Sequence, residues 1–264
     1  MYAFDYRRPR SVQEATAAAT EDSAFLAGGM TLLPSLKMRL ARRSRLVDLG
    51  GIAELGGVRG GAGVVHVGAM TRHVEVEESA LLRKVLPALA ALAGGIGDPQ
   101  VRNRGTLGGS IANNDPSADY PAAVLALEAR IRTDQREIAA ADFFQGMFTT
   151  ALRPGELITE VSFALPRRCA YVKYRNPASR YAVVGVMVAQ GEAGVRVAVT
   201  GAGPQVFRLP DFEAALQRQF SPDAVRALRV PADGLNADMH ASAEYRAALI
   251  SVIAARAVSA ALQG

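Results

Sequence analysis

The chain has 264 residues, half of them hydrophobic, and carries 30 lysines and arginines against 25 acidic residues, for a formal charge of +5. That length can form two or three small domains. One cysteine, Cys169, excludes an internal disulfide framework and any iron-sulfur cluster built by this chain alone, and three scattered histidines, His66, His73 and His240, lack ligand spacing, so no metal site is expected.

In chain order, the first residues lack the basic segment and apolar core of a secretory signal, so a cytoplasmic setting is expected; no apolar run reads as long enough for a membrane span. VQEATAAAT after Ser11 predicts a helix, FLAGG a strand and turn, LLPSLKMRL a second helix and LVDL another strand. Lys37, Arg39, Arg42, Arg43 and Arg45 form the densest basic cluster. Without interleaved aromatics it reads as a solvated helix end or subunit contact, and nucleic-acid binding is not expected. GVRGGAG at 57–63 lies between two strand-like runs and reads as a hairpin turn. VVHVGAM predicts a strand ending near Thr71, which is expected to cap the helix beginning RHVEVEE. In ALLRKVLPALAALAGG, Pro87 must kink or divide a helix. After a glycine-rich segment, Pro121 opens the helix PAAVLALEA, and ARIRT is strand-like.

Around Leu165 and Pro166 the texture changes. CAYVKYRN, YAVVGVMVAQ and GVRVAVTGAG predict an antiparallel meander, followed by helices DFEAALQRQF and, capped by Ser221, PDAVRALR. The last helix, about Ala243 to Leu262, is expected to place Tyr245, Leu249, Val252, Ile253 and Val258 near one face.

The chemistry concentrates in DPQVRNRGTLGGSIANNDPSADYP at 98–121. Gly105, Gly108 and Gly109 are expected to leave N–H groups free to converge on phosphate oxygens, with Thr106 and Ser110 adding hydroxyls. Arg102 and Arg104 flank the turn, while Asn113, Asn114, Asp115 and Asp119 suit a sugar alcohol. A second turn, Gly28 to Thr31, follows a short strand and precedes a helix, a layout that points backbone N–H groups at an anion. Neither is a Rossmann fingerprint.

AGGMTLLPSLKMRL at 27–40 and VRNRGTLGGSIANNDPSADYPAAVLAL at 101–127 resemble the two flavin-binding motifs of the FAD-binding medium subunit of the molybdenum hydroxylases, the xanthine dehydrogenase and aerobic carbon monoxide dehydrogenase family. YVKYRNPASRYAVVGVMVA at 171–189 and SAEYRAALISVIAARAV at 242–258 are similar to that family's C-terminal domain, so the resemblance spans nearly the whole chain. It implies an α+β fold: a two-subdomain FAD-binding domain of the vanillyl-alcohol oxidase (PCMH-like) type over 1–165, with subdomains about 1–50 and 51–165. A small C-terminal antiparallel sheet with helices then occupies 166–264. It implies FAD contacts from Ala27, Gly28, Gly29, Met30, Thr31 and Leu32 in the first motif, with Met30 standing where the family usually has His or Thr. From the second it implies Arg102, Thr106, Leu107, Gly108, Gly109, Ser110, Asn113, Asp115 and Asp119. Asp119 falls at the ribityl and ring end, Tyr181 over the isoalloxazine ring, and Lys173 on a neighbouring strand. It implies no catalytic residue here, a large partner subunit with the molybdenum cofactor, a small one with two iron-sulfur clusters, and a dimer of such heterotrimers. The alternatives are a self-contained flavin oxidase of the vanillyl-alcohol oxidase type and a non-enzymatic nucleotide-binding scaffold.

Overall fold

Short apolar runs separated by helices build a parallel sheet, because parallel neighbours need a crossover between them. In the computed structural model, which describes residues 1–263, β1 (Asp5–Arg7), β2 (Ser23–Leu26) and β3 (Arg45–Asp48) pair in parallel in the order β1-β3-β2. Helices α1 (Val12–Ala18) and α2 (Leu32–Lys37) make the crossovers, and the Ser11 hydroxyl caps α1 by accepting from the Glu14 N–H. Strand β1 has too little apolar pattern to have been expected. The small core of this layer gathers Ala15, Val47, Leu49, Ile52 and Leu55 with Leu157 from the next unit.

The expected hairpin forms, but its turn is confined to 61–63, because Val58–Gly60 of the glycine-rich stretch is itself strand β4, paired with β5 (Val64–Gly68). Six helices follow: α3 (His73–Glu78), α4 (Ala80–Val85), α5 (Pro87–Gly94), α6 (Pro99–Arg102), α7 (Leu107–Asn113) and α8 (Tyr120–Ala126). Pro87 divides its helix rather than kinking it. Thr71 does not cap α3; its hydroxyl donates to Gly57 O at 3.0 Å, and the cap position falls to Arg72, whose N–H is taken by Glu75. The chain then adds β6 (Arg130–Thr133), β7 (Glu137–Ala139), α9 (Ala140–Phe143), the small hairpin β8 (Phe144–Gly146) and β9 (Thr149–Thr150), and β10 (Ile158–Ala164). The sheet β4-β5-β10-β6-β7 is antiparallel throughout. Val65, Val67, Ile131, Val161 and Phe163 face a core shared with the helices, while His66, Arg130, Arg132 and Ser162 alternate to the other face.

The expected meander is β11 (Arg168–Arg175), β12 (Ala182–Gly191), β13 (Gly194–Thr200), extended by the short β14 (Phe207–Arg208). Strand β12 is buried on both faces. Its Met187 and Ala189 join the core of the preceding unit, and Val184, Val186 and Val188 join a second core with Val195, Val197, Phe212, Ile250 and Ile253. The helices of that second core are α10 (Pro210–Arg218), α11 (Pro222–Arg226) and α12 (Ala243–Gln263).

Helix α12 departs from expectation twice. Its seam runs through Ala247, Ile250, Ala254, Ala257, Val258 and Ala261, so Ile253 and Val258 are buried but Tyr245 and Val252 are about half exposed. Alanines interleaved with Ile250, Ile253 and Val258 let the helix lie close against β11 and β12. At 21 residues, with a window of mean hydropathy 1.4, it is also long and apolar enough, by length and composition, to cross a membrane, whereas no such run was expected. In this fold it is a core helix, and it buries Arg246, whose Nη1 donates to Val183 O (2.7 Å) and Gly201 O (3.0 Å) and whose Nη2 donates to Asp238 Oδ2 (2.7 Å). Removing that guanidinium takes a donor from two carbonyls and from Asp238 Oδ2, whose Oδ1 keeps the His240 and Ala241 N–H groups. Arg246→Leu is expected to cost about 3 kcal/mol in urea unfolding; a loss under about 1 kcal/mol would mean that packing, not this bonding, seats α12.

Candidate functional site

A cavity of about 510 Å³, within the range of small-molecule sites, lies where the three sheet units meet. Its first wall is the turn between β2 and α2. Gly29 has φ +74°, a left-handed conformation that only glycine takes freely, and it swings the chain from strand to helix. The N–H groups of Gly28, Gly29, Met30, Thr31 and Leu32 find no acceptor among the described residues, and all five residues line the cavity together with Ala27. Five consecutive unpaired donors beside one cavity are chemically suited to accepting groups such as an anion's oxygens.

The second wall, the turn into α7, works differently from what its sequence suggested. Leu107 N–H donates to Thr71 O, Gly108 N–H to Ala69 O (2.8 Å), Gly109 N–H to the Thr106 hydroxyl (3.1 Å) and Ser110 N–H to Thr106 O. The Gly105 N–H is likewise taken, by Val101 O at 2.7 Å. These glycines therefore do not leave N–H groups free for phosphate. They are bare because protein presses on them: a Cβ on Gly108 would lie 2.6 Å from Ala69 Cβ, and one on Gly105 2.4 Å from His73 Nε2. Across the cavity's base, a Cβ on Gly28 would sit 2.0 Å from Arg104 O. The two glycine turns are stacked on each other, and what they offer a ligand is the free N–H row of the first and the side chains of Thr106, Ser110 and Asn113 from the second, all lining the cavity.

Three residues of the second motif, Leu107, Arg102 and Asn114, leave the site. Leu107 is fully buried in the helical core, pulled there by its apolar side chain. Arg102 turns away because Glu77 holds its Nε at 2.9 Å, and its Nη1 donates to Ile96 O. Asn114, in left-handed conformation at the end of α7, donates instead to Gly146 O and Thr149 O, fixing the β8–β9 hairpin.

The third wall comes from the C-terminal sheet. Thr200 and Gly201 at the end of β13 donate to backbone carbonyls of the 116–118 segment, Thr200 Oγ1 to Ala118 O at 2.7 Å and Gly201 N to Pro116 O at 2.8 Å, stapling Asp115–Asp119 in place. Asp119 lines the cavity and is buried, but it does not cap α8; its carboxylate accepts from the Tyr171 hydroxyl and, at 2.9 Å, from Lys173 Nζ. Burial pushes this carboxyl upward, against the opposing pull of Lys173 and Tyr171. Lys173 itself does not line the cavity. It stands behind Asp119 and donates also to Arg180 O. Tyr181 lines the cavity from the turn before β12 rather than from within a strand, and burial, then Asp115 and Asp119, raise its phenol. Arg180, with φ +63°, ties that turn across the cavity mouth by donating to Gly97 O at 3.1 Å.

The cavity also contains residues that sequence reasoning missed. His73, Met70, Ile96, Gly97 and Arg180 line it, as does Arg43, assigned to a solvated helix end. Only Arg180 carried a signal, its place beside Tyr181. No group of three or more metal-ligating residues occurs among the described residues.

Residues 2–167 match the family described as the FAD binding domain in molybdopterin dehydrogenase. The chain belongs to this family. It is 34% identical to the carbon monoxide dehydrogenase medium chain of Hydrogenophaga pseudoflava, over 98% of this chain and 96% of that one. It is 35% identical to the nicotine 6-hydroxylase medium subunit of Paenarthrobacter nicotinovorans, over 97% and 96%. In structure it resembles the carbon monoxide dehydrogenase of Hydrogenophaga pseudoflava lacking the Mo-pyranopterin moiety, with a TM-score of 0.90 and 34% identity, over 99% of this chain and 98% of that chain. The family makes this chain an FAD-binding oxidoreductase component of a molybdenum-containing dehydrogenase.

One wall residue sets a pH dependence. Glu156 is buried at the cavity edge, and hydrogen bonds from Arg136 first, then the Arg153 N–H and the Thr133 hydroxyl, hold its carboxyl down to about 2 against the opposing effect of burial. A depressed carboxyl stabilises the fold above its ordinary value near 4.5, and that stability is lost as pH falls through about 2. With Arg136 one-third exposed, Glu156→Gln is expected to cost about 2 kcal/mol at pH 7 and little at pH 2, read by urea unfolding at both. An equal penalty at the two pH values would exclude the ion pair as its source.

Proposed function

We propose that this chain holds one non-covalent FAD in the cavity between its three units and works as the flavin subunit of a heterotrimer. A large partner would carry the molybdenum cofactor and a small one two iron-sulfur clusters, with two trimers forming a dimer. Two observations support the fit. The five unpaired N–H groups from Gly28 to Leu32 are donors without acceptors, the complement of a diphosphate. Alongside them the cavity offers apolar surface from Phe25, Leu49 and Ile158 and hydroxyl or amide groups from Thr106, Ser110 and Asn113, a mixture suited to a long molecule with aromatic ends and a polyol between.

In this reading Ala27 to Leu32 bind the diphosphate through backbone, so Met30 needs no side-chain contact. Gly108 and Gly109 keep the second turn close to the first. Asp115, Asp119 and Tyr181 face the sugar-alcohol and ring end, and Lys173 positions Asp119 from behind. When bound, FAD supplies a centre able to exchange electrons singly or in pairs between the partner's clusters and an external acceptor. The chain's own part is to bind, orient and shield it.

The fold supports a domain division at 165/166, where β10 ends and β11 begins, with a subdomain boundary near 50 after β3. The PCMH-like arrangement of those two subdomains belongs to the same reading, supported by one parallel and one antiparallel sheet flanking the cavity. The free, half-buried Cys169 suits a reducing, cytoplasmic setting. Relatives of nearly equal similarity are named for carbon monoxide and for nicotine, so this chain does not choose the substrate of its complex. Those relatives match along their whole length as medium chains or subunits, which favours this reading over a self-contained oxidase or a scaffold.

Acid release from the purified complex should yield one FAD per copy of this chain; FMN alone, or no flavin, would overturn the diphosphate site. A Cβ on Gly109 would come 2.9 Å from Thr106 Oγ1 and 3.3 Å from Ala27 Cβ. Gly109→Val should therefore wedge the two turns apart and remove most of the flavin, while Gly191→Ala, at a position open on all sides, should keep it.

A further inference from the structure

His73 is the first residue of α3, and its backbone N–H donates to Gly105 O at 2.9 Å, so the start of that helix is tied to the second glycine turn. Its imidazole is almost wholly enclosed. One side leans on Tyr120, ring centroids 5.3 Å apart, and the Nε2 edge rests on Gly105, where a Cβ would lie 2.4 Å from Nε2. The ring lines the cavity beside Gly28, Gly105 and Thr106. Nδ1 is buried on the far side with no hydrogen-bond partner, and so is the neighbouring Tyr120 hydroxyl. Nε2 makes no hydrogen bond to the protein, yet it is not among the fully enclosed polar atoms. An imidazole edge kept free of protein partners at a cavity wall, with a glycine left bare to admit it, is a group held for something outside the chain.

We propose that His73 is a cofactor-positioning residue whose Nε2–H donates to an oxygen of the bound dinucleotide, beside the Gly28–Leu32 turn. The proposal rests on the FAD reading above and adds a side chain to it. The proposal requires the Nε2–H tautomer, in which the buried, unpartnered Nδ1 is a bare lone pair and not an unpaired donor. Burial, and secondarily the Arg102 guanidinium, push the imidazole down to about 4, so near pH 7 the ring is neutral. A neutral donor orients a phosphate or ribityl oxygen without adding charge to the cavity wall, and Arg102, outside the cavity, is committed to Glu77.

The test uses the full chain, freed of flavin and titrated with FAD at pH 7, as wild type, His73→Gln and His73→Phe. Gln keeps an N–H donor near the Nε2 position, and Phe keeps the ring's bulk without one. Gln should bind FAD within about threefold of wild type and Phe about tenfold more weakly, the worth of one net hydrogen bond. Equal binding by wild type and Phe would overturn the proposal, as would equal loss in Gln and Phe, which marks a packing role. Nitrogen-15 NMR of the wild-type imidazole gives a second readout independent of any substitution. The Nε2-protonated tautomer should be present and its Nε2 signal should move on adding FAD; an Nδ1-protonated ring, or a ring unmoved by FAD, overturns the proposal even if both variants fail to fold. Failure of the wild type to bind FAD at all would instead sink the flavin reading on which this inference stands.

Discussion

The contact on which the site depends is the closest one in it, Gly28 against the carbonyl of Arg104. No side chain fits between them, since the first atom of one would lie 2.0 Å from that oxygen. Because these two backbones touch, the N–H row after β2 and the hydroxyls of α7 face the same space. The turn from Gly28 to Leu32 leaves its donors unpaired against a partner turn whose N–H groups are taken, Leu107 and Gly108 by the β5–α3 connection and Gly105, Gly109 and Ser110 by Val101 and Thr106. Without a ligand those donors need solvent to satisfy them, so the fold holds open a polar surface that a diphosphate would complete.

A second constraint joins the C-terminal sheet to that surface. Asp119, Tyr171 and Lys173 form a buried cluster in which each charged or polar head has its partner, and Lys173 also fixes the Arg180 carbonyl in the turn that presents Tyr181. Gly185 on β12 is bare for the same reason as Gly28. A Cβ there would lie 2.2 Å from the Tyr171 hydroxyl. The glycines of this protein thus mark places where distant segments meet, and at both ends of the cavity the closeness of those meetings sets its shape.

What the sequence made legible follows from what each residue shows locally. Strands β5, β12 and β13 announce themselves by valine-rich runs, and α1 and α11 by serine caps bonded as expected. Strand β1, three residues long and mostly polar, shows nothing of the kind. In the site, both glycine turns stood out, but their roles did not: the sequence records that a side chain is absent, not what fills its place. Arg102 displayed its charge and hid its partner, Glu77, 25 positions earlier. His73 gave no sign because the groups that define it, Gly105 and Tyr120, are remote in the chain. On α12 Ile253 and Val258 pack as expected, while the alanines that complete the seam gave no signal.

Strand β12 gives the molecule a property that its division into units conceals. Its side chains belong alternately to two hydrophobic cores, Met187 and Ala189 to one and Val184, Val186 and Val188 to the other. Neither core can open without exposing half of this strand to water, which couples the opening of the two units and is expected to make the β12 amides among the slowest to exchange. The C-terminal segment is then less an appendage to a flavin domain than the second half of one cooperative body, and the cavity at the seam inherits the stability of both.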